Sequence, residues 1–186
     1  MKILAAISLL IALSVPAWAQ EDQNAFRRNE ITYNILSYSR QGSFNLWGGD
    51  LSFTRHLTDR FAIVGELALH DNKSSGSDFV RTTTEYRIGP RFALMQRKRA
   101  RVFGEVLVGG SRITDNLFNR FLLGISPISK ESSNGYSLAA GGGVDVPIKS
   151  WFAVRAAEVN YNFMEISGDK INGIRVGSGI IFRFGH

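Results

Sequence analysis

The sequence predicts an all-β fold: an eight-stranded antiparallel up-and-down transmembrane β-barrel with short periplasmic turns and longer outer loops. Three observations carry that prediction. Eight segments alternate apolar and polar side chains with a period of two, the spacing of a strand with two different faces. The polar faces mix arginines, carboxylates and glycines, as a narrow filled interior requires. The connections between segments alternate between short and mostly longer ones, and that asymmetry is the mark of a barrel that crosses an outer membrane.

The chain of 186 residues opens on "MKILAAISLLIALSVPAWAQ", with one charge at Lys2 and an apolar run from Ile3 to Val15. Pro16 breaks the run, and Ala17-Trp18-Ala19 supplies the small-x-small pattern of a cleavage site. Residues 1–19 therefore read as a cleaved signal peptide for export. The run is short of the ~18–20 apolar residues a spanning helix needs. No cysteine occurs, so disulfides, cysteine-based metal sites and a lipid anchor on cysteine drop out. Taking residues 1–19 away removes Lys2 and no acid, so 21 of the 22 Lys+Arg remain against 16 Asp+Glu. An exported basic chain rarely meets nucleic acid, and no nucleic-acid partner is expected. Nor does the later sequence hold a helix-length apolar run, so a membrane crossing must be made by strands.

Residues 20–30, "QEDQNAFRRNE", read as a flexible lead-in, and residues 31–186 as the barrel. Strands are placed near Ile31–Ser39, Phe44–His56, Phe61–His70, Val80–Met95, Arg101–Arg112, Gly135–Ile148, Trp151–Met164 and Ile171–Gly185. Each is long enough for the ~9–11 residues of a tilted membrane strand. "LTDR" at 57–60, "QRKRA" at 96–100 and "KS" at 149–150 form the short turns, assigned to the periplasm. An even strand count returns both ends of the chain to that side.

The faces decide between a membrane barrel and a soluble one. In the fourth strand, Tyr86, Ile88, Phe92 and Leu94 oppose Arg81, Glu85, Arg87 and Arg91. In the last, Ile174, Val176, Ile180, Phe182 and Phe184 oppose Arg175 and Arg183. Applied along the chain, this alternation assigns Asp50, Glu66, Arg81, Glu85, Arg87, Arg91, Glu105, Asp145, Glu158, Arg175 and Arg183 to the lumen and the apolar faces to lipid. A soluble lipid-binding barrel would need an apolar interior instead. Arg155 breaks the parity of its strand, and a lipid-facing arginine near the bilayer midplane costs ~2–4 kcal/mol. Either a β-bulge at Ala156-Ala157 turns it inward beside Glu158 to join the charge network, or it snorkels to the periplasmic headgroups.

The motifs "GPRF" (89–92), "GEVLVGG" (104–110), "AAGGGVDV" (139–146), "AVRAAEVNY" (153–161) and "RVGSGIIFRFG" (175–185), in that order, resemble the small outer-membrane β-barrel proteins akin to the OmpA transmembrane domain. The resemblance spans about residues 31–185. It implies a bacterial outer-membrane location of the Gram-negative type, with outer-membrane lipid as surroundings. It also implies an assembly signal at Gly179, Phe182 and Phe184, read by the barrel-assembly machinery. The family signal begins with a polar residue where Gly177 stands here, and its terminal aromatic is followed here by Gly185-His186.

Eight strands enclose a lumen that side chains can fill, so the leading expectation is a non-enzymatic barrel serving envelope integrity or surface interaction. A narrow porin-like channel is the alternative. A lipid-modifying enzyme is third, because His70-Asp71 followed by Ser74-Ser75 is the best candidate constellation in a chain with three histidines. No cofactor or metal motif is evident. The longest loop, "RITDNLFNRFLLGISPISKESSN", suggests a short helix capped by Asp115, with Leu117, Phe118, Phe121, Leu122 and Ile125 as a surface-contact patch toward an unknown partner. The competing reading extends the flanking strands above the membrane.

Overall fold

The computed structural model describes residues 28–72, 79–117 and 129–185. Eight strands, β1 (Asn29–Gln41), β2 (Phe44–His56), β3 (Phe61–Asp71), β4 (Phe79–Arg97), β5 (Ala100–Leu117), β6 (Ser129–Lys149), β7 (Phe152–Ile166) and β8 (Asp169–Phe184), pair in sequence order. The sheet closes because β8 also pairs antiparallel with β1, from Asn29↔Phe184 to Gln41↔Gly173. Closure removes both sheet edges, so every strand finds a hydrogen-bonding neighbour on each side. The fold is the eight-stranded antiparallel barrel that the alternating sequence predicts.

Strand lengths are uneven. β4, β5 and β6 run 19, 18 and 21 residues, against 11 to 16 for the other five. A tilted strand needs only ~9–11 residues to cross a bilayer, so these three rise beyond the apolar band. Their ladder continues to Leu117↔Ser129. Asp115 and Leu117 therefore lie in a strand, and Asp115 caps no helix. The extended ladder satisfies backbone groups that a loop would leave to water. Phe118, Phe121, Leu122 and Ile125 lie outside the described residues, as do residues 1–27 and Ser74-Ser75.

Two outer turns are as short as the periplasmic ones. β1 passes to β2 through Gly42-Ser43, with Gly42 at φ +57°, and β7 to β8 through Ser167-Gly168, at φ +53° and +90°. In the second of these turns, positive φ at both central positions makes the mirror-image hairpin turn that matches strand twist. β1 starts at Asn29, so Asn29 and Glu30 belong to the barrel and not to the lead-in.

The two faces are chemically opposite. Outward side chains include Leu51, Phe53, Leu67, Tyr86, Ile88, Val108 and Val159, each 47–59% exposed. A continuous apolar belt of this kind is unstable against water and suits hydrocarbon. Inward lie Asp50, Glu66, Glu85, Arg87, Arg91, Glu105, Asp145, Arg155, Glu158 and Arg175, none more than 7% exposed. Apolar side chains share this interior: Leu46, Phe103, Leu107, Met164 and Ile181 are also buried.

Among the described residues, register shifts occur in β1, β4, β6 and β7, and those in β1 and β7 decide which way key residues point. In β1 the register shifts after Asn34, so Ile35 and Leu36 both face outward, at 52% and 53% exposure. In β7 the pairing jumps from Glu158↔Gly177 to Arg155↔Gly179, and from Ala157↔Val144 to Arg155↔Asp145. One extra residue in β7 thus puts Arg155 and Glu158, three apart, on the same inner face.

Candidate functional site

The interior of the barrel is a stack of ion pairs, some between neighbouring strands and some across the lumen. At the periplasmic end, Glu30 of β1 accepts from Arg101 of β5 and Arg183 of β8, each at 2.9 Å, and His56 of β2 lies 3.2 Å away. Below the mouth a cavity of about 10 Å³, bordered by Glu30, His56, Arg91, Phe103 and Asp145, is at the limit of what one water occupies.

Deeper, Arg91 donates from Nε to Glu105 Oε2 at 2.8 Å and from Nη1 to Thr54 Oγ1 at 3.2 Å. Arg155 donates from Nε to Asp145 Oδ1 at 2.9 Å and from Nη1 to Glu158 Oε2 at 2.5 Å. Both arginines lie over the Phe103 ring, with guanidinium carbons 4.2 Å and 4.6 Å from its centroid. A desolvated guanidinium over a ring face gains from the ring quadrupole. Gly143 makes the arrangement fit, since a Cβ there would come within 2.8 Å of the Phe103 ring.

At mid-height Glu66 of β3 joins Arg87 of β4, at 2.7 Å, to Arg175 of β8, at 2.5 Å. Arg175 also reaches Glu158 at 3.4 Å, and Arg87 reaches Glu85 at 3.4 Å and Asn162 at 3.0 Å. Asn34 links the layer to β1 and β2 by donating to Asp50 at 2.8 Å and to Glu158 at 3.1 Å. Oxygens of Glu66, Glu105 and Glu158 lie within 4.8 Å of one another. Each of these carboxylates already accepts from arginine, so their charge is spent on guanidinium partners.

The outer end is lighter. Ser37 Oγ and His70 Nε2 share a hydrogen bond of 2.8 Å, and Thr83 donates to Gln41 at 3.2 Å. His70 is fully buried and Ser37 is 1% exposed. Asp71 follows His70 on the other face of the strand by alternation. Above the membrane Arg81 makes a two-pronged bond to Asp115, at 2.8 Å and 2.7 Å, and its guanidinium lies 4.0 Å from the Phe44 ring centroid.

Sequence parity puts Asn160 and Asn162 on the face of Glu158, but it left Asn34 and Phe103 out of the network. Asn34 donates to Asp50 and Glu158, and two guanidinium groups lie over the Phe103 ring. Phe103 has the same parity as Glu105, so the signal was present, but an apolar side chain reads as lipid-facing. Glu30 was hidden by its polar neighbours.

The chain matches, over residues 5–182, the family described as outer membrane protein beta-barrel domain. It belongs to that family. Membership places a barrel of this kind in the outer membrane of a Gram-negative bacterium. Among solved structures, Neisserial surface protein A (NspA) is similar at 11% identity and a TM-score of 0.67, covering 84% of this chain and 97% of that one. OprG from Pseudomonas aeruginosa gives 14% identity and 0.55, covering 89% and 100%. Ail, the attachment invasion locus protein of Yersinia pestis, gives 18% identity and 0.51, covering 83% and 96%. At these identities the likeness is one of fold. No curated protein matches by sequence. The family's barrel thus frames an interior whose particular charges are read from this chain alone.

Proposed function

We propose that this chain is a non-enzymatic outer-membrane barrel that meets partners outside the cell and supports the envelope. The observation that carries the reading is the shape of the wall. β4, β5 and β6 rise well past the membrane on one side, and the sequence between β5 and β6 carries the apolar residues Phe118, Phe121, Leu122 and Ile125. The Arg81–Asp115 bond ties β4 to β5 within this raised wall. A wall raised above the bilayer is how barrels place contact residues away from the lipid. NspA and Ail bear names that speak of a surface protein and of attachment and invasion, which supports the same role here.

The lumen supports the non-channel side of the proposal, because paired charges fill its cross-section at several levels. Export through residues 1–19 and recognition of Gly179, Phe182 and Phe184 by the assembly machinery complete the reading. Phe182 and Phe184 face outward, where such a factor would meet them.

The test replaces residues 118–128 by a short Gly-Ser turn. Cells carrying this variant should keep a heat-modifiable barrel yet lose adherence to surfaces that the parent binds. Undiminished adherence removes the surface role. Regular conductance steps from the parent protein in planar bilayers would favour the narrow channel instead.

A further inference from the structure

Among the described residues, the two rims of the barrel differ in charge. At the periplasmic end Arg28 stands exposed at the start of β1, and Arg55 and Arg60 flank the first turn. Arg97, Lys98 and Arg99 form the second turn, and Lys149 leads into the third. Among the described residues, Asp59 is the only exposed carboxylate at this end. Glu30 and Asp145 are nearby but buried in the lumen. At the outer end the exposed charges of the described residues balance: Arg40, Arg112 and Lys170 stand against Glu131, Glu165 and Asp169.

The basic residues also leave the wall sideways. Arg55 follows Leu51 and Phe53 on the outward face of β2. Arg97 pairs with Ala100 two residues beyond the Met95↔Val102 pair, and Met95 is outward. Lys149 pairs with Phe152, and its Nζ lies 5.8 Å from the centre of the Trp151 ring. Arg55 and Arg97 sit beyond an aromatic girdle, and Lys149 lies level with it. Trp151 stacks with Phe182 at 6.3 Å, Phe61 meets Phe92 at 5.1 Å, and Phe53 meets Phe184 at 6.4 Å. Aromatic rings mark the boundary of the hydrocarbon, so the level beyond them is that of lipid phosphates.

We propose that the periplasmic rim is a binding surface for anionic phospholipid headgroups of the inner leaflet. The sideways direction favours lipid over a polymer lying beneath the barrel, which only the turn tips would touch. Attraction of this kind adds up over several Lys and Arg and fades with salt.

Each rim carries its own tryptophan: Trp151 at the periplasmic end, 45% exposed, and Trp47 at the outer end, 56% exposed. Two full-length variants isolate them, one with Trp18→Phe and Trp47→Phe, the other with Trp18→Phe and Trp151→Phe. In mixed vesicles, quenching by acyl-brominated phosphatidylglycerol is compared with quenching by acyl-brominated phosphatidylcholine. Trp151 should report a preference of about threefold or more for the anionic lipid, reduced at high salt, and Trp47 little or none. Arg97→Gln, Lys98→Gln and Arg99→Gln together should lower the preference at Trp151; if that protein fails to fold, Lys149→Gln serves. Equal preference at the two tryptophans, or a preference at Trp151 that these variants leave intact, overturns the proposal.

Discussion

Arg175 of β8 donates to both oxygens of Glu66 of β3, at 2.9 Å and 2.5 Å, although the two residues are 109 apart in the chain and their strands are not neighbours in the sheet. The bond spans the lumen and ties opposite walls together. It also joins two side chains that are 2–3% exposed, so neither charge has water to fall back on. The contact therefore makes closure specific, since Arg175 finds its partner only once β8 has docked against β1.

Removing one partner should cost more than the bond itself is worth. Arg175→Met leaves Glu66 buried with Arg87 alone, and a stranded buried charge typically costs ~3–5 kcal/mol. The folded band should convert to the unfolded one at a clearly lower temperature on unboiled gels. Adding Glu66→Gln should recover part of that loss, because the pair is coupled. Additive losses in the double variant would remove the pairing argument.

Phe103 should matter as a ring and not only as volume. Phe103→Leu keeps most of the apolar bulk but gives up both guanidinium contacts, at a cost of ~1–3 kcal/mol. Measured by urea unfolding in detergent, the effect should shrink when Arg91 is already replaced by Met.

Glycines on the two faces should behave differently. A Cβ at Gly141 would meet the Val159 carbonyl oxygen at 2.1 Å and Asn160 Oδ1 at 2.2 Å, both held by the β6–β7 ladder. Gly65 faces the lipid with nothing within 4 Å of an added Cβ. Gly141→Ala should sharply reduce the heat-modifiable fraction, while Gly65→Ala should leave it at the parental level. Equal behaviour would mean that the wall relaxes enough to absorb the clash.

His70 should prove structural. His70→Ala removes the bond to Ser37 and opens space in the lumen, lowering stability by ~1–3 kcal/mol. Membrane lipid composition in cells carrying that variant should match the parent, as chromatography of extracted lipids would show. A changed lipid profile with a folded barrel would revive the enzymatic reading.

Alternation was enough to determine strand number, the apolar outer belt and the side toward which most charges point, because period-two geometry fixes facing within a strand without reference to any other. The final strand displays this directly, with Val176, Ile180 and Phe182 outward and Arg175 inward. Tertiary structure decided what depends on register. One extra residue in β7 reverses parity, so only pairing with β6 and β8 could choose between an inward and a snorkelling Arg155. Partners across the lumen, such as Glu66 for Arg175 and Glu158 for Asn34, come from strands that no local pattern connects. That residues 113–117 continue as a ladder was decided by the edge they could pair with: β6 offered hydrogen bonds out to Ser129, and β5 followed it. Facing is a local property of the backbone, whereas register and reach across the lumen exist only once the barrel is closed.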